Sequence, residues 1–405
     1  MAAVDVKEGQ DRKAVPVKAR ELMEQLNAEA ANLNFWLRTE MNAPAQRPWF
    51  ADTSGAGKKT TGRVAANQLK AVPYRWRWAD YGPYLERISK IAAQAEVPPI
   101  EFADRQSILL TNPGLGGRLQ VTNTIRCAIS IYNPGDVAPA HVHSPNASRT
   151  ILSEKGGYTN IEGERCEARR GDIILTPNGT WHDHGNDDKD PVIWIDMLDW
   201  PLMELLDCAW VDQAFKAPVG TNDGRTQKTV HEDGYSTRLY GHGGLRPAFV
   251  SHQRGWGHDP VPLFHYRGED IRAALDDLAG EAGDPYEGII LQLVNPVTGE
   301  AVFPTLDYSA QLLRPGEELR PKRETCSTFI VVMDGEGYSE IGDQRFEWTR
   351  NDILVVPPFE WRRHVNTGKG AAVLYTVTDA EVLRRIGQYR AQGKLPNGEV
   401  EQIVK

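Results

Sequence analysis

Gly135-Asp136-Val137-Ala138-Pro139-Ala140-His141-Val142-His143, read with Gly171-Asp172-Ile173-Ile174-Leu175-Thr176-Pro177-Asn178-Gly179-Thr180-Trp181-His182-Asp183-His184-Gly185-Asn186, decides the fold. In the first stretch a glycine turn leads into His-x-His, the pattern of a strand entering a β-barrel. Alternate residues of a strand share a face, so His141 and His143 point the same way. In the second stretch an apolar strand breaks at Pro177, turns at Gly179 and resumes with His182. Three imidazoles therefore converge from two strands. The same glycine and proline frames recur from Gly316 and from Asn351, with most of the histidines gone. The chain thus reads as one barrel duplicated, with the chemistry kept in the first copy.

Length and composition agree. The 405 residues exceed one ordinary core and predict two domains, each able to bury a barrel. Charged residues make up 25%, mean hydropathy is −0.48, and no run of eighteen apolar residues or N-terminal leader is visible. A soluble cytoplasmic protein is expected, without membrane contact. Cys127, Cys166, Cys208 and Cys326 have no C-x-x-C spacing, which suits free thiols in a reducing compartment. A net charge of −9 and a pI near 5.7 argue against nucleic acid, and any anionic substrate must be captured by local cations.

Residues 1–100 read as an N-terminal helical extension, with Leu22, Leu26, Leu33 and Leu37 on one helical stripe and a second short helix near 84–95. The Ser54–Thr60 run SGAGKKT fails as a phosphate loop, because Asp52 stands where its first glycine belongs and Lys59 where Ser or Thr is needed. Residues 101–200 form the first barrel, 201–290 a connection with a helix near 270–278, 291–378 the second barrel, and 379–405 a closing helix and tail. His231, His242, His252, His258 and His265, in the connection, lack metal-like spacing and read as loop or packing residues. In the second copy Lys322 and Glu324 replace His141 and His143, Arg362 replaces His182, and only His364 survives, opposite His184. Two charged bases offer no lone pair to a cation, so this barrel is expected to be structural.

The phrases NPGDVAPAHVHSPNASR (133–149), GDIILTPNGTWHDHGN (171–186), VNPVTGEAVFPT (294–305) and EIGDQRFEWTRNDILVVPP (340–358) resemble the gentisate 1,2-dioxygenase family of bicupins. That resemblance implies an all-β-dominated fold of two jelly-roll barrels with peripheral N-terminal, linker and C-terminal helices. The glutamate that many cupins carry after His-x-His is missing, since Ala147 and Ser148 occupy its place. This fits the gentisate type, whose iron is held by three histidines alone.

The resemblance further implies one Fe(II) per chain in the N-terminal barrel, held by His141, His143 and His182. The substrates it implies are a small aromatic hydroxyacid and O2, and the assembly a homo-oligomer, commonly a tetramer. Gentisate, salicylate or a substituted salicylate would be opened between the carboxyl-bearing and hydroxyl-bearing carbons. Arg149, on the strand parity of the ligands, matches the arginine that binds the substrate carboxylate; an inward arginine also needs an anion beside it. His184 matches the residue near the substrate hydroxyl, a donor or proton shuttle. Asp196 matches a pocket carboxylate and is expected to orient His184. Arg105 matches a second pocket arginine. Along Thr124 to Tyr132 the even residues face the cavity, so Arg126 adds a third cation, suited to a polar or anionic ring substituent. Histidine ligands alone also admit a zinc isomerase or hydrolase, or a ligand-binding bicupin without turnover.

Overall fold

The computed structural model describes residues 17–38, 69–94, 106–213, 231–243, 245, 247–248 and 261–404. Two antiparallel sandwiches account for most of them. In the first, a sheet ordered Phe35–Arg38, Gln106–Leu110, Arg126–Tyr132, Val192–Leu198, Ala147–Ile151, Ile173–Thr176 and His265–Tyr266 faces a sheet ordered Val211–Asp212, Val137–His143, His182–Gly185, Lys155–Ile161 and Glu164–Arg169. The second repeats this order, with Asp307–Leu313, Ala372–Thr378, Thr328–Asp334 and Ile353–Val356 central in one sheet. Gln344–Thr349, Glu336–Ile341, Arg362–Asn366 and Lys322–Glu324 run through the other.

In each barrel the sheet at the contact between barrels is buried on both faces, which explains its continuous apolar runs. Along Ile173–Thr176, Ile173 and Leu175 join a cluster shared with the second barrel, whereas Ile174 turns into the first barrel's own interior beside Trp194 and Phe264. Ile129, Ile195, Phe329, Val331 and Tyr375 belong to the shared cluster, so the two barrels have one continuous apolar contact. Leu313, Ile330, Trp348 and Leu374 fill the second interior. Across the contact, the Tyr375 hydroxyl donates to the Gly171 carbonyl at 3.0 Å.

The duplication reaches individual residues. Gly135 and Gly316 open the corresponding frames at φ +85° and +72°. Gly171, at φ +84°, is answered by Asn351 at φ +70°, one of the few side chains that tolerates the left-handed region. Buried Asn186 ties its loop to the carbonyls of Tyr132 and Asp190, and Asn366 does the same to Leu313 and Gly370.

Several elements differ from expectation. The first helix spans Val17–Ala31 and ends before Leu33 and Leu37; Phe35–Arg38 instead pairs with Gln106–Leu110. The extension read as helical also supplies Tyr74–Trp76, which covers the edge of the second barrel beside Ile353–Val356. His265–Tyr266 covers the equivalent edge of the first barrel. Open jelly-roll edges present unpaired backbone groups, and these outside strands satisfy them. The second helix begins earlier, Trp78–Gln94, where Asp352 Oδ1 accepts its first N–H. Gly268–Leu278 falls close to the expected helix, while the closing helix is only Ala380–Arg385 and is followed by strands Ala391–Lys394 and Val400–Val404. The SGAGKKT run, His252 and His258 lie outside the described residues. His231 stacks on Tyr235 and His265 pairs with Asp172, both packing roles. Among the described residues no helix is long and apolar enough to cross a membrane, and all four cysteines are free.

Because each asparagine closes the same loop in its own barrel, Asn186→Ala and Asn366→Ala should each lower unfolding free energy by about 1–3 kcal/mol. Urea denaturation reads this; a loss of less than about 0.5 kcal/mol in either would remove the closing role.

Candidate metal centre

His141 and His143 leave the strand Val137–His143 on one face, and His182 stands directly opposite His141 in the neighbouring strand. A register shift between His182 and His184 then sets His184 against Ala138. All four rings are buried inside the first barrel. Ring centroids lie 4.2 Å apart for His141 and His182, 4.7 Å for His143 and His182, and 5.9 Å for His141 and His143. One nitrogen each of His141, His182 and His184 falls within 4.8 Å of the others, close enough to hold a metal ion.

Tautomers separate the four rings. Nδ1 of His141 meets the Pro139 carbonyl at 2.7 Å, Nδ1 of His143 the Pro145 carbonyl at 2.8 Å, and Nδ1 of His182 the Thr180 carbonyl at 2.8 Å. A carbonyl only accepts, so each Nδ1 carries the proton and each Nε2 carries the lone pair. His184 differs: its Nε2 accepts from Arg149 Nη2 at 2.8 Å, and its Nδ1 lies 3.0 Å from Thr159 Oγ1.

Arg149 is buried in the opposite sheet, where its Nη1 also donates to Thr176 Oγ1 at 3.0 Å. Asp196 faces it directly across the strand pair, and the Arg149 Nε to Asp196 Oδ1 distance is 3.3 Å. The expected anion beside Arg149 is therefore one of the chain's own carboxylates. Asp196 also accepts from Ser130 Oγ at 2.5 Å. Asp196 thus stands on Arg149, which in turn bonds His184 Nε2, while Thr159 meets that ring's Nδ1. Cross-strand register decides both partners.

These groups share a cavity whose empty volume, mouth included, is about 680 Å3. His141, His143, His184, Arg149 and Asp196 line it, as do Arg126, Ala128, Ser130 and Tyr132 from one face of a single strand. Arg126 lies over the Trp200 ring, and its Nη2 is 3.3 Å from Glu204 Oε1. Arg105 lies outside the described residues. Thr159, Thr176, Trp200 and Val211 were not visible in the sequence as site residues, since strand pairing brings Thr159 to His184, Thr176 to Arg149 and Val211 to His143, and the short helix Trp200–Leu205 brings Trp200 to Arg126.

A Cupin domain model matches twice, over residues 128–198 and 310–378. The 5-aminosalicylate 1,2-dioxygenase of Comamonas sp is 35% identical over 82% of this chain and 84% of its own length. The gentisate 1,2-dioxygenase of a Streptomyces sp is 32% identical over 80% and 87%. This chain belongs to the gentisate and salicylate 1,2-dioxygenase family of bicupins. It is thus a ring-cleaving dioxygenase. The crystal structure of salicylate 1,2-dioxygenase from Pseudaminobacter salicylatoxidans superposes with a TM-score of 0.69 at 28% identity, covering 80% of this chain and 89% of that one.

The second barrel holds fixed charges where the first holds imidazoles. Lys322 pairs with Arg362 in the register that His141 keeps with His182. Glu287, which the sequence did not single out, accepts from Lys322 Nζ at 2.7 Å and Arg362 Nη2 at 3.0 Å, and Glu324 lies 2.9 Å from Arg362 and 3.1 Å from Lys322. Burial alone would raise the Glu287 pKa, but Arg362 and Lys322 outweigh it and hold the carboxyl down to about 2. His364, on Ser339 Oγ at 2.7 Å, is lowered to about 3 by burial and by Arg362.

Arg362→Met should cost about 3–5 kcal/mol in denaturant titrations, because it strands two buried carboxylates with one lysine. His364 stays neutral when folded and takes a proton near its ordinary 6.5 when unfolded, so its contribution is lost as pH falls from 6.5 towards 3. Glu287 acts in the same direction below 4.5, whereas Asp136 and Asp199, raised to about 6 by burial, act oppositely. His364→Gln should shift the slope of unfolding free energy against pH between 6.5 and 4.5 in the negative direction by up to one proton, about 1.4 kcal/mol per pH unit, since His364 alone of these groups gives a positive slope there. An unchanged slope counts against a neutral buried His364.

Proposed function

We propose that this enzyme is an Fe(II)-dependent dioxygenase that opens a 2-hydroxybenzoate-type acid between its carboxyl-bearing and hydroxyl-bearing carbons with O2. Gentisate, salicylate and substituted salicylates form the substrate class. The observation that supports this reading is the common tautomer of His141, His143 and His182, each with Nδ1 on a backbone carbonyl and Nε2 bearing the lone pair, beside a cavity lined by buried Arg149, although the nitrogens closest to one another are those of His141, His182 and His184. These three residues hold the metal. His184 stands outside the set because Arg149 already donates to its Nε2 and Thr159 holds its Nδ1. The names of the relatives, which act on 5-aminosalicylate and gentisate, support the substrate class.

Bound there, ferrous iron supplies the one-electron chemistry that lets a closed-shell arene react with triplet O2. The protein does the remaining work. Arg149 receives the substrate carboxylate through its guanidinium edge and orients the ring, while Asp196 and Thr176 keep the guanidinium from turning. His184, whose Nδ1 Thr159 holds, is the donor or proton shuttle for the ortho hydroxyl, its Nε2 becoming available when the substrate carboxylate takes over the Arg149 Nη2 proton. Apolar Leu109, Leu198 and Val211 exclude water from the ring. Arg126 meets a polar substituent on the ring. Both oxygen atoms enter the product, a ring-opened oxo-dicarboxylate. A homo-oligomer in the cytoplasm completes the reading.

Alanine at His141, His143 or His182 should abolish stoichiometric iron and drop turnover by at least about a thousandfold, whereas His184→Ala should retain iron and lose turnover. Metal analysis beside an oxygen electrode separates these outcomes. Iron loss from His184→Ala with retention in His143→Ala would assign the metal to the other trio. Arg126→Ala should lower kcat/KM about tenfold for 5-substituted salicylates while salicylate changes little; equal effects across substrates remove Arg126 from substrate contact.

A further inference from the structure

We propose that Glu204 is a specificity-determining residue that sets, through Arg126, which charge a ring substituent of the substrate can carry. The inference rests on the reading above that an aromatic hydroxyacid occupies the first-barrel cavity. Arg126 begins its strand opposite Leu198, two residues before Trp200 opens the short helix Trp200–Leu205. Trp200 and Glu204 are four apart and so share one face of that helix. Their contacts bracket a single guanidinium. The Arg126 Cζ lies 5.1 Å from the Trp200 ring centroid, Nε donates to the Leu119 carbonyl at 3.1 Å, and Nη2 reaches Glu204. Glu204 Oε1 also accepts from Trp200 Nε1 at 2.6 Å. Among the described residues Arg126 Nη1 makes no hydrogen bond, and the side chain lines the cavity.

The charge balance gives this arrangement a consequence. Arg149 is paired with Asp196, so the cavity's two described cations each have one carboxylate. A substituent at Arg126 therefore meets a neutral pair rather than a bare cation. An uncharged acceptor such as nitro or hydroxyl takes an Nη1 proton without disturbing the pair. An anionic substituent must compete with Glu204 for the Arg126 guanidinium, and Glu204, whose side chain is 51% exposed against 18% for Arg126, cannot leave that site without also releasing Trp200. A guanidinium whose charge is already taken discriminates against a second anion while still serving a neutral acceptor.

The test uses the full chain loaded anaerobically with ferrous iron. The 5-nitro and 5-carboxy derivatives of salicylate match in shape and differ by one charge, so the ratio of their kcat/KM values, compared between variants, cancels their intrinsic reactivities. Wild type should cleave both and favour the nitro acid. Glu204→Gln keeps the acceptor for Trp200 and removes the charge; it should move the ratio towards the carboxy acid by at least about fivefold. In an Arg126→Met background the same change should move it less than about twofold. Glu204→Ala gives a second reading of the ratio should the glutamine variant fold poorly. A wild type that cleaves no aromatic hydroxyacid overturns the proposed function itself. Cleavage of salicylate with neither substituted acid accepted, a ratio unmoved in both Glu204 variants, or a shift that survives Arg126→Met overturns the role of Glu204 and leaves the function standing.

Discussion

Three backbone carbonyls, those of Pro139, Pro145 and Thr180, take the Nδ1 protons of three imidazoles, and the chemistry of the first barrel depends on that constraint. An imidazole that can rotate or exchange tautomers is a poor ligand, because its lone pair has no fixed address. Here the address is written by the main chain within two residues of each histidine. The strands must therefore be rigid. The sheet facing them, buried on both sides against its own interior and against the second barrel, backs them with a packed core.

The two barrels solve one problem in two ways. At the register where His141 faces His182, the second copy sets Lys322 against Arg362, and Glu287 and Glu324 neutralise them. Buried charges of both signs in direct contact make a self-contained core that neither needs nor accommodates a cation. His364 keeps the counterpart of the His184 contact, bonding Ser339 as His184 bonds Thr159. The scaffold was thus retained and the ligand set replaced. The second barrel's contribution is to bury the outer face of the first.

Inside the cavity, cations are paired before any substrate arrives. Arg149 and Asp196 are cross-strand neighbours, so their geometry follows from register, whereas Glu204 reaches Arg126 from the short helix that follows its strand partner Leu198. The anion that a buried arginine needs beside it is here Asp196. A paired arginine still recognises a carboxylate, since guanidinium has five N–H donors and one carboxylate does not exhaust them.

Much of this protein was legible in its residues. Strand parity put His141 beside His143 and Arg126 beside Ala128 and Ser130, and the repeated Gly-Asp and Asn frames exposed the duplication, because period-two alternation and left-handed turns are local properties of a chain. The family resemblance added the fold and the class of reaction. Other features were not local. Leu33 and Leu37 continue a helical stripe in sequence, yet the edge of the first barrel draws Phe35–Arg38 into its sheet. Glu287 enters the second site from outside its repeat, Thr159 reaches His184 only through pairing of adjacent strands, and Asp196 chose Arg149 because register set them face to face. By itself the sequence determined which side chains share a face and which turns the backbone makes. Tertiary structure decided which faces meet, because contact between distant strands depends on burial and pairing energies that no short window of residues contains.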